Sequence, residues 1–169
     1  MKSRVMRLLT HGWLDAEDAH RALGAGTLER LQERVRQSEL RHTGEIRLCI
    51  EAGLPLGDLW RRVTARERAI ALFGSLRVWD TEHNNGVLIY LLLADHAIEI
   101  VADRGLTRHV SFVQWQGIAQ GLGEAFRNGR HEEGLNMAVD RIGALLAQHF
   151  PAGSGAPNPN ELPDGPVMM

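Results

Sequence analysis

The sequence predicts an α/β layer sandwich with a small mixed sheet, and three observations carry that prediction. Glu45 to Glu51, EIRLCIE, alternates strictly, with Ile46, Leu48 and Ile50 on one face and Arg47, Cys49 and Glu51 on the other. TARE, Thr64 to Glu67, has capping-box spacing and opens a helical run through Ala69, Leu72, Phe73 and Leu76 to Arg77. Gly86 to Leu93 is almost wholly apolar, as in a central strand buried on both faces.

A helix between the first two strands is the sign of a crossover, so they run parallel. Ala94, Asp95 and His96 are too short a connection for a second crossover, so Ile98 to Val101 returns antiparallel as a hairpin. Ahead of the first strand, Thr27 reads as the N-cap of a helix to about His42, with Leu28, Leu31, Val35 and Ser38 on one face. Beyond the hairpin, Ser111 and Gln114 make a second capping-box pattern for a helix through Trp115, Ile118, Leu122 and Phe126. After Gly129 a last amphipathic helix runs to near Phe150. Three regions result: an N-terminal helical appendage over residues 1–26, the α/β domain over 27–151, and a Pro-, Gly- and Asn-rich tail over 152–169 in which no regular element is expected.

With 44% hydrophobic residues in 169, the chain can fill one core. Its 19 basic residues, all arginine except Lys2, are interspersed with 21 acids for a net charge of −2, so no nucleic-acid partner is signalled. Lys2, Arg4 and Arg7 flank only a few apolar residues, so no secretion signal is expected. The longest apolar run, Val87 to Ala94, is far shorter than the about 20 residues a spanning helix needs. A cytoplasmic protein without a membrane segment is the expectation. Single Cys49 builds neither an internal disulfide nor a cysteine-based zinc site, and reads as core rather than nucleophile. No GxSxG, Walker or GxGxxG signature occurs.

The topology brings separated polar groups to one edge of the sheet. Glu45 opens the first strand, the loop DTEHNN from Asp80 to Asn85 enters the second, and Asp103, Arg104 and Gly105 leave the third at the same end. Ca²⁺ and Mg²⁺ take oxygen ligands of this kind, and Asp80, Glu82, Asn84, Asn85 and Asp103 could furnish them. Asn, Asp and Gly also make ordinary turns, and both readings stand at this stage. His83 is either a ligand or a solvated loop residue. Arg104 either binds an anion such as a phosphate or pairs with Glu45 or Asp103. Asp95 and His96 fall at the far end of the sheet.

HTGEIRLCIE, a following helix, and WDTEHNNGVLIYLLLADHAIEIVADRGL together resemble the TPM domain family, which includes a thylakoid acid phosphatase and bacterial membrane-associated proteins. The likeness runs from about Thr27 to Pro166 and is strongest to a short soluble bacterial subgroup with a tail like NPNELPDGPV. It implies a three-layer α/β/α sandwich of Rossmann-like appearance, divalent ions, notably calcium, near loops at one sheet edge, and phosphomonoester hydrolysis in some members. Asp80, Asn84 and Asn85 match the family loop, Asp103 the polar position closing the next strand, and Glu45 the acid opening the first. Many relatives carry a secretion signal and a transmembrane helix, neither of which is expected from this sequence, and His96 stands where close relatives usually carry Arg. Two functions are expected from this: a metal-dependent, phosphatase-like hydrolase, or a non-enzymatic module that uses the ion structurally and binds another protein.

Overall fold

Strict alternation in EIRLCIE becomes strand β1, Ile46–Glu51, and the apolar run becomes β2, Val87–Leu92, with β3 at Ala97–Ala102 and β4 at Val167–Met168. The computed structural model describes Glu17, residues 23–153 and residues 160–169. The sheet has the order β3-β2-β1-β4. β1 and β2 are parallel, in register from Ile46 opposite Val87 to Glu51 opposite Leu92. β2 and β3 form the expected hairpin, from Val87 opposite Ala102 to Leu92 opposite Ala97. All of β2 is buried, which accounts for its lack of alternation.

Among the described residues these helices flank the sheet: α1 (Thr27–Glu39), α2 (Leu56–Trp60), α3 (Ala65–Ser75), α4 (Arg104–Thr107), α5 (Phe112–Arg127) and α6 (His131–His149). Ile46, Leu48, Ile50, Val87, Ile89 and Leu91 point to one face and pack with Leu31, Val35, Leu122, Leu135 and Ile142 of α1, α5 and α6. Cys49, Leu88, Tyr90 and Leu92 point to the other and pack with Leu59, Ala69 and Leu72 of α2 and α3. Alternation thus splits each central strand between two cores, giving the three-layer α/β/α sandwich. Each fully buried Leu or Ile contributes about 1.5–3 kcal/mol. Both capping boxes form as read, Thr64 with Glu67 at α3 and Ser111 with Gln114 at α5.

Three readings of the sequence are corrected. Thr27 is the first helical residue, with Gly26 at the N-cap in a left-handed conformation, and its hydroxyl lies 2.9 Å from the Leu23 carbonyl oxygen. α1 stops at Glu39, because the His42 ring turns back between Ser38 Oγ (3.1 Å) and the Gly44 carbonyl (3.0 Å). The tail does contain a regular element: β4 pairs parallel with β1, Cys49 opposite Val167 and Ile50 opposite Met168. The reason is the partner and not local propensity, since the β1 edge supplies unpaired backbone groups that the tail satisfies through Met169 N to Ile50 O (3.0 Å) and Ala52 N to Met169 O (2.8 Å). Most of the expected N-terminal appendage lies outside the described residues. No helix among the described residues is long and apolar enough to cross a membrane.

Candidate functional site

After α3 the chain turns through Arg77, at φ 56°, and enters the loop that carries the predicted donors. Asn84 sits in the left-handed region at φ 52°, as Asn tolerates, and its N–H donates to the Thr81 carbonyl at 3.1 Å. The N–H of Asn85 donates to Thr81 Oγ1 at 3.0 Å. Backbone pairing then continues past the strands: Val87 N to Glu45 O (2.8 Å), Asp103 N to Gly86 O (2.9 Å) and Gly105 N to Asn84 O (2.9 Å). The ladder therefore joins the starts of β1 and β2 and the end of β3 at one edge, as the topology requires.

Two glycines make this junction possible. A Cβ on Gly86 would stand 2.0 Å from the Val78 carbonyl oxygen. One on Gly105 would stand 2.4 Å from the Asn84 carbonyl oxygen and 2.5 Å from that of His83. Beside Gly105, then, two carbonyl oxygens crowd against the backbone two residues after Asp103.

Asp103 caps α4, its Oδ1 accepting the Arg104 N–H at 2.6 Å, while its buried Oδ2 has no hydrogen-bond partner. Asn85 is fully buried; its Nδ2 donates to Thr43 Oγ1 at 3.3 Å, and its Oδ1 likewise has no partner. An unsatisfied buried oxygen costs about 1–3 kcal/mol, so two at one edge call for a donor or a cation. Arg104 donates from Nε to Asn84 Oδ1 at 3.3 Å, rather than pairing with Glu45 or Asp103. Asp80, Glu82 and His83 are exposed.

Glu45 goes elsewhere. It stands one residue before Ile46, so alternation sends it to the face of Arg47 and Cys49, where its carboxylate accepts the N–H groups of Glu161 (3.1 Å) and Leu162 (3.3 Å). Burial pushes its carboxyl up to about 7 although those two N–H groups pull the other way. The Glu161 carboxylate in turn accepts the Glu82 N–H at 3.1 Å. Arg47 completes this clasp by donating to the carbonyls of Pro163 and Gly165. The structure thus unites Asn84, Asn85, Asp103 and Arg104, and turns the Glu45 carboxylate toward the tail, which Glu82 meets only through its backbone N–H. Among the described residues, no three His, Cys, Asp or Glu side chains form a metal cage, so amide and backbone oxygens would have to complete any cation site.

Several buried polar groups escaped the sequence reading. Glu39, at the end of α1, accepts the Ile46 N–H at 2.9 Å, and burial pushes it up to about 8. Burial lowers His42 to about 4. Glu51, the last polar position of EIRLCIE, accepts Arg68 at 2.6 and 3.0 Å and the Tyr90 hydroxyl at 2.6 Å. An acid ending an alternation on the core side was the available signal for that network. Cys49 is buried, its thiol pushed up to about 12 by burial, which fits a core role.

Comparison with known proteins identifies the architecture. The TPM domain profile matches residues 17–145. Among solved structures, the BA42 protein of the psychrophilic bacterium Bizionia argentinensis is similar at 26% identity and a TM-score of 0.74, over 85% of this chain and 93% of that one. The N-terminal domain of a P. gingivalis protein shares the fold at 18% identity and a TM-score of 0.62, over 83% of this chain and 98% of that one. No curated protein matches the sequence.

Proposed function

The chain belongs to the TPM domain family, and we propose that it is a divalent-cation-binding module whose ion, Ca²⁺ or Mg²⁺, sits at the Asp103 edge of the sheet. The observation that carries this reading is the buried, unpartnered Oδ2 of Asp103, on the chain two residues before the Gly105 backbone that abuts the carbonyls of His83 and Asn84. Hard cations prefer such mixed sets of carboxylate, carbonyl and amide oxygens. Asp80 and Glu82, exposed on the same loop, supply further charge, and Asn85 Oδ1 is a second oxygen in want of a partner. Glu45 serves the fold by fastening the tail.

Isothermal titration of the full chain with Ca²⁺ and with Mg²⁺ tests the reading. Binding to the wild type that is weakened at least tenfold in Asp103→Asn is the expected result; Asn keeps the oxygen that caps α4 but loses the charge. Equal binding by both proteins would remove Asp103 from the site.

A second reading, phosphomonoester hydrolysis, draws on the exposed Arg104, which adjoins Asp103 and could steady an anion. A bound ion would polarise a phosphoryl oxygen and lower the pKa of a bound water. Turnover of p-nitrophenyl phosphate that needs the metal and is lost in Asp80→Asn and Asp103→Asn favours the enzyme; tight binding of the ion without turnover favours the module.

A further inference from the structure

The loop that carries the candidate cation donors is held between two fixed points, and the C-terminal tail supplies one of them. Downstream, the Val87 N–H donates to the Glu45 carbonyl at 2.8 Å, where β2 joins β1. Upstream, the Glu82 N–H is shared between the two carboxylate oxygens of Glu161, at 3.1 and 3.3 Å. His83 and Asn84, whose carbonyls abut Gly105, lie between these points.

Glu161 is itself anchored at the sheet. Its own N–H donates to Glu45 Oε1 at 3.1 Å, and that of Leu162 donates to Oε2 at 3.3 Å. The hydrogen bonds therefore close a circuit, from the Glu45 carboxylate to Glu161, from the Glu161 carboxylate to Glu82, along the loop to Val87, and back to the Glu45 carbonyl. Beyond Glu161 the tail has its own fastenings: Leu162 is buried in the core with Cys49 and Tyr90, Arg47 donates to the carbonyls of Pro163 and Gly165, and Met169 pairs with Ile50 and Ala52. None of these uses the Glu161 carboxylate, an exposed group whose hydrogen bonds go to the loop.

Two elements joined in this way share their freedom. When the tail lifts, the circuit opens at Glu82, and the loop regains motion that a cation would have to remove. When a cation fixes the loop, the Glu82 N–H is held in place for the tail.

We infer that Glu161 is a positioning residue for the cation loop, and that through it the docking of the C-terminal tail and the binding of a cation at the Asp103 edge strengthen each other. The inference rests on the cation reading given above. One factor describes both directions, because a coupling between two equilibria is reciprocal.

Calorimetric titration with Ca²⁺ and amide hydrogen exchange, both on the full chain, test it. Glu161→Ala should weaken Ca²⁺ binding about fivefold, the lower end of ordinary coupling between sites. Glu161→Gln, which keeps an oxygen for the Glu82 N–H, should recover most of that loss. A purely structural Glu161 would instead lower the urea midpoint of the metal-free chain and leave the affinity alone. In the wild type, saturating Ca²⁺ should slow exchange at the tail amides of Leu162 and Met169 by about the same factor, and in Glu161→Ala it should not. If the wild type binds Ca²⁺ while Glu161→Ala binds it equally well, or while exchange at Leu162 and Met169 ignores the ion, the coupling is refuted and the Asp103 edge stands. A wild type that binds neither Ca²⁺ nor Mg²⁺ would remove both.

Discussion

The two polar systems of the sheet differ in one respect that separates structure from function. Behind the last residue of β1, Glu51 is bound by both Arg68 nitrogens and by the Tyr90 hydroxyl. At the first residues of the same sheet, Asp103 and Asn85 each bury an oxygen that nothing meets. Both systems are buried and charged or polar, yet only the first is complete. A closed network is explained by the fold it stabilises, whereas an open one leaves a cost of desolvation that a ligand would offset. Burial alone would have ranked Glu51 as the better candidate, and satisfaction of its hydrogen bonds reverses that order.

The largest effect should come from opening the closed network. Glu51→Ala leaves the Arg68 guanidinium half-buried with only Asp58 at 3.4 Å, and strands the Tyr90 hydroxyl. A loss of about 3–5 kcal/mol in urea denaturation is expected, the cost of removing one partner from a buried pair. Asp103→Asn at the open end should cost well under 1 kcal/mol without metal, because the cap oxygen stays. If the two substitutions cost the same, the contrast between the ends is wrong.

Adding Ca²⁺ sharpens the same contrast by a smaller amount. At a hundredfold excess over its dissociation constant, an ion that binds only the folded chain stabilises it by about 2.7 kcal/mol. The wild-type thermal midpoint should therefore rise with Ca²⁺. That of Asp103→Asn, with binding weakened at least tenfold, should rise by about half as much or less, and a folded Tyr90→Phe chain should still respond fully. An equal rise in all three would point to ions acting elsewhere.

Most of the architecture could be read because its causes are local. The alternation of EIRLCIE, the apolar run of β2 and two capping boxes each write their element into a few neighbouring residues, and the short hairpin fixes where Asp103 returns. What escaped depends on distant partners. β4 exists because β1 offers an unpaired edge, and its two residues carry no signal of their own. Glu45 was grouped with the loop donors by its position along the chain, although its place one residue before Ile46 already implied the other direction. The tail N–H groups that bind it are 116 and 117 residues away. Asp103 looked like a ligand and proves also to be a helix cap, because α4 is a single turn too short to announce itself.

The smallest effect concerns pH, and it separates the clasp at the open end from the network at the closed one. Glu39 and Glu45 hold protons more tightly in the fold than in the unfolded chain, with carboxyls raised from 4.5 to about 8 and about 7. Their contribution is therefore complete below pH 4.5 and is lost as pH rises through those values. His42 acts oppositely: lowered from 6.5 to about 4, it contributes above pH 6.5 and loses that contribution as pH falls to 4. Between pH 4.5 and 6.5 the single histidine offsets only one of the two carboxyls, so stability should already fall with rising pH, by at most about 1.4 kcal/mol per unit. From pH 6.5 to 8 only the carboxyls still titrate, so stability should fall by about 2 kcal/mol, given at most about 1.4 kcal/mol per pH unit for each group. Glu39→Gln should flatten this alkaline limb, since its amide keeps an oxygen for the Ile46 N–H and has no charge to bury. Urea midpoints at pH 6.5 and 8.5 read the difference directly. If the variant loses as much as the wild type, ionisation of Glu39 is not what weakens the fold in alkali, and Glu45, where the tail is fastened, becomes the group to replace.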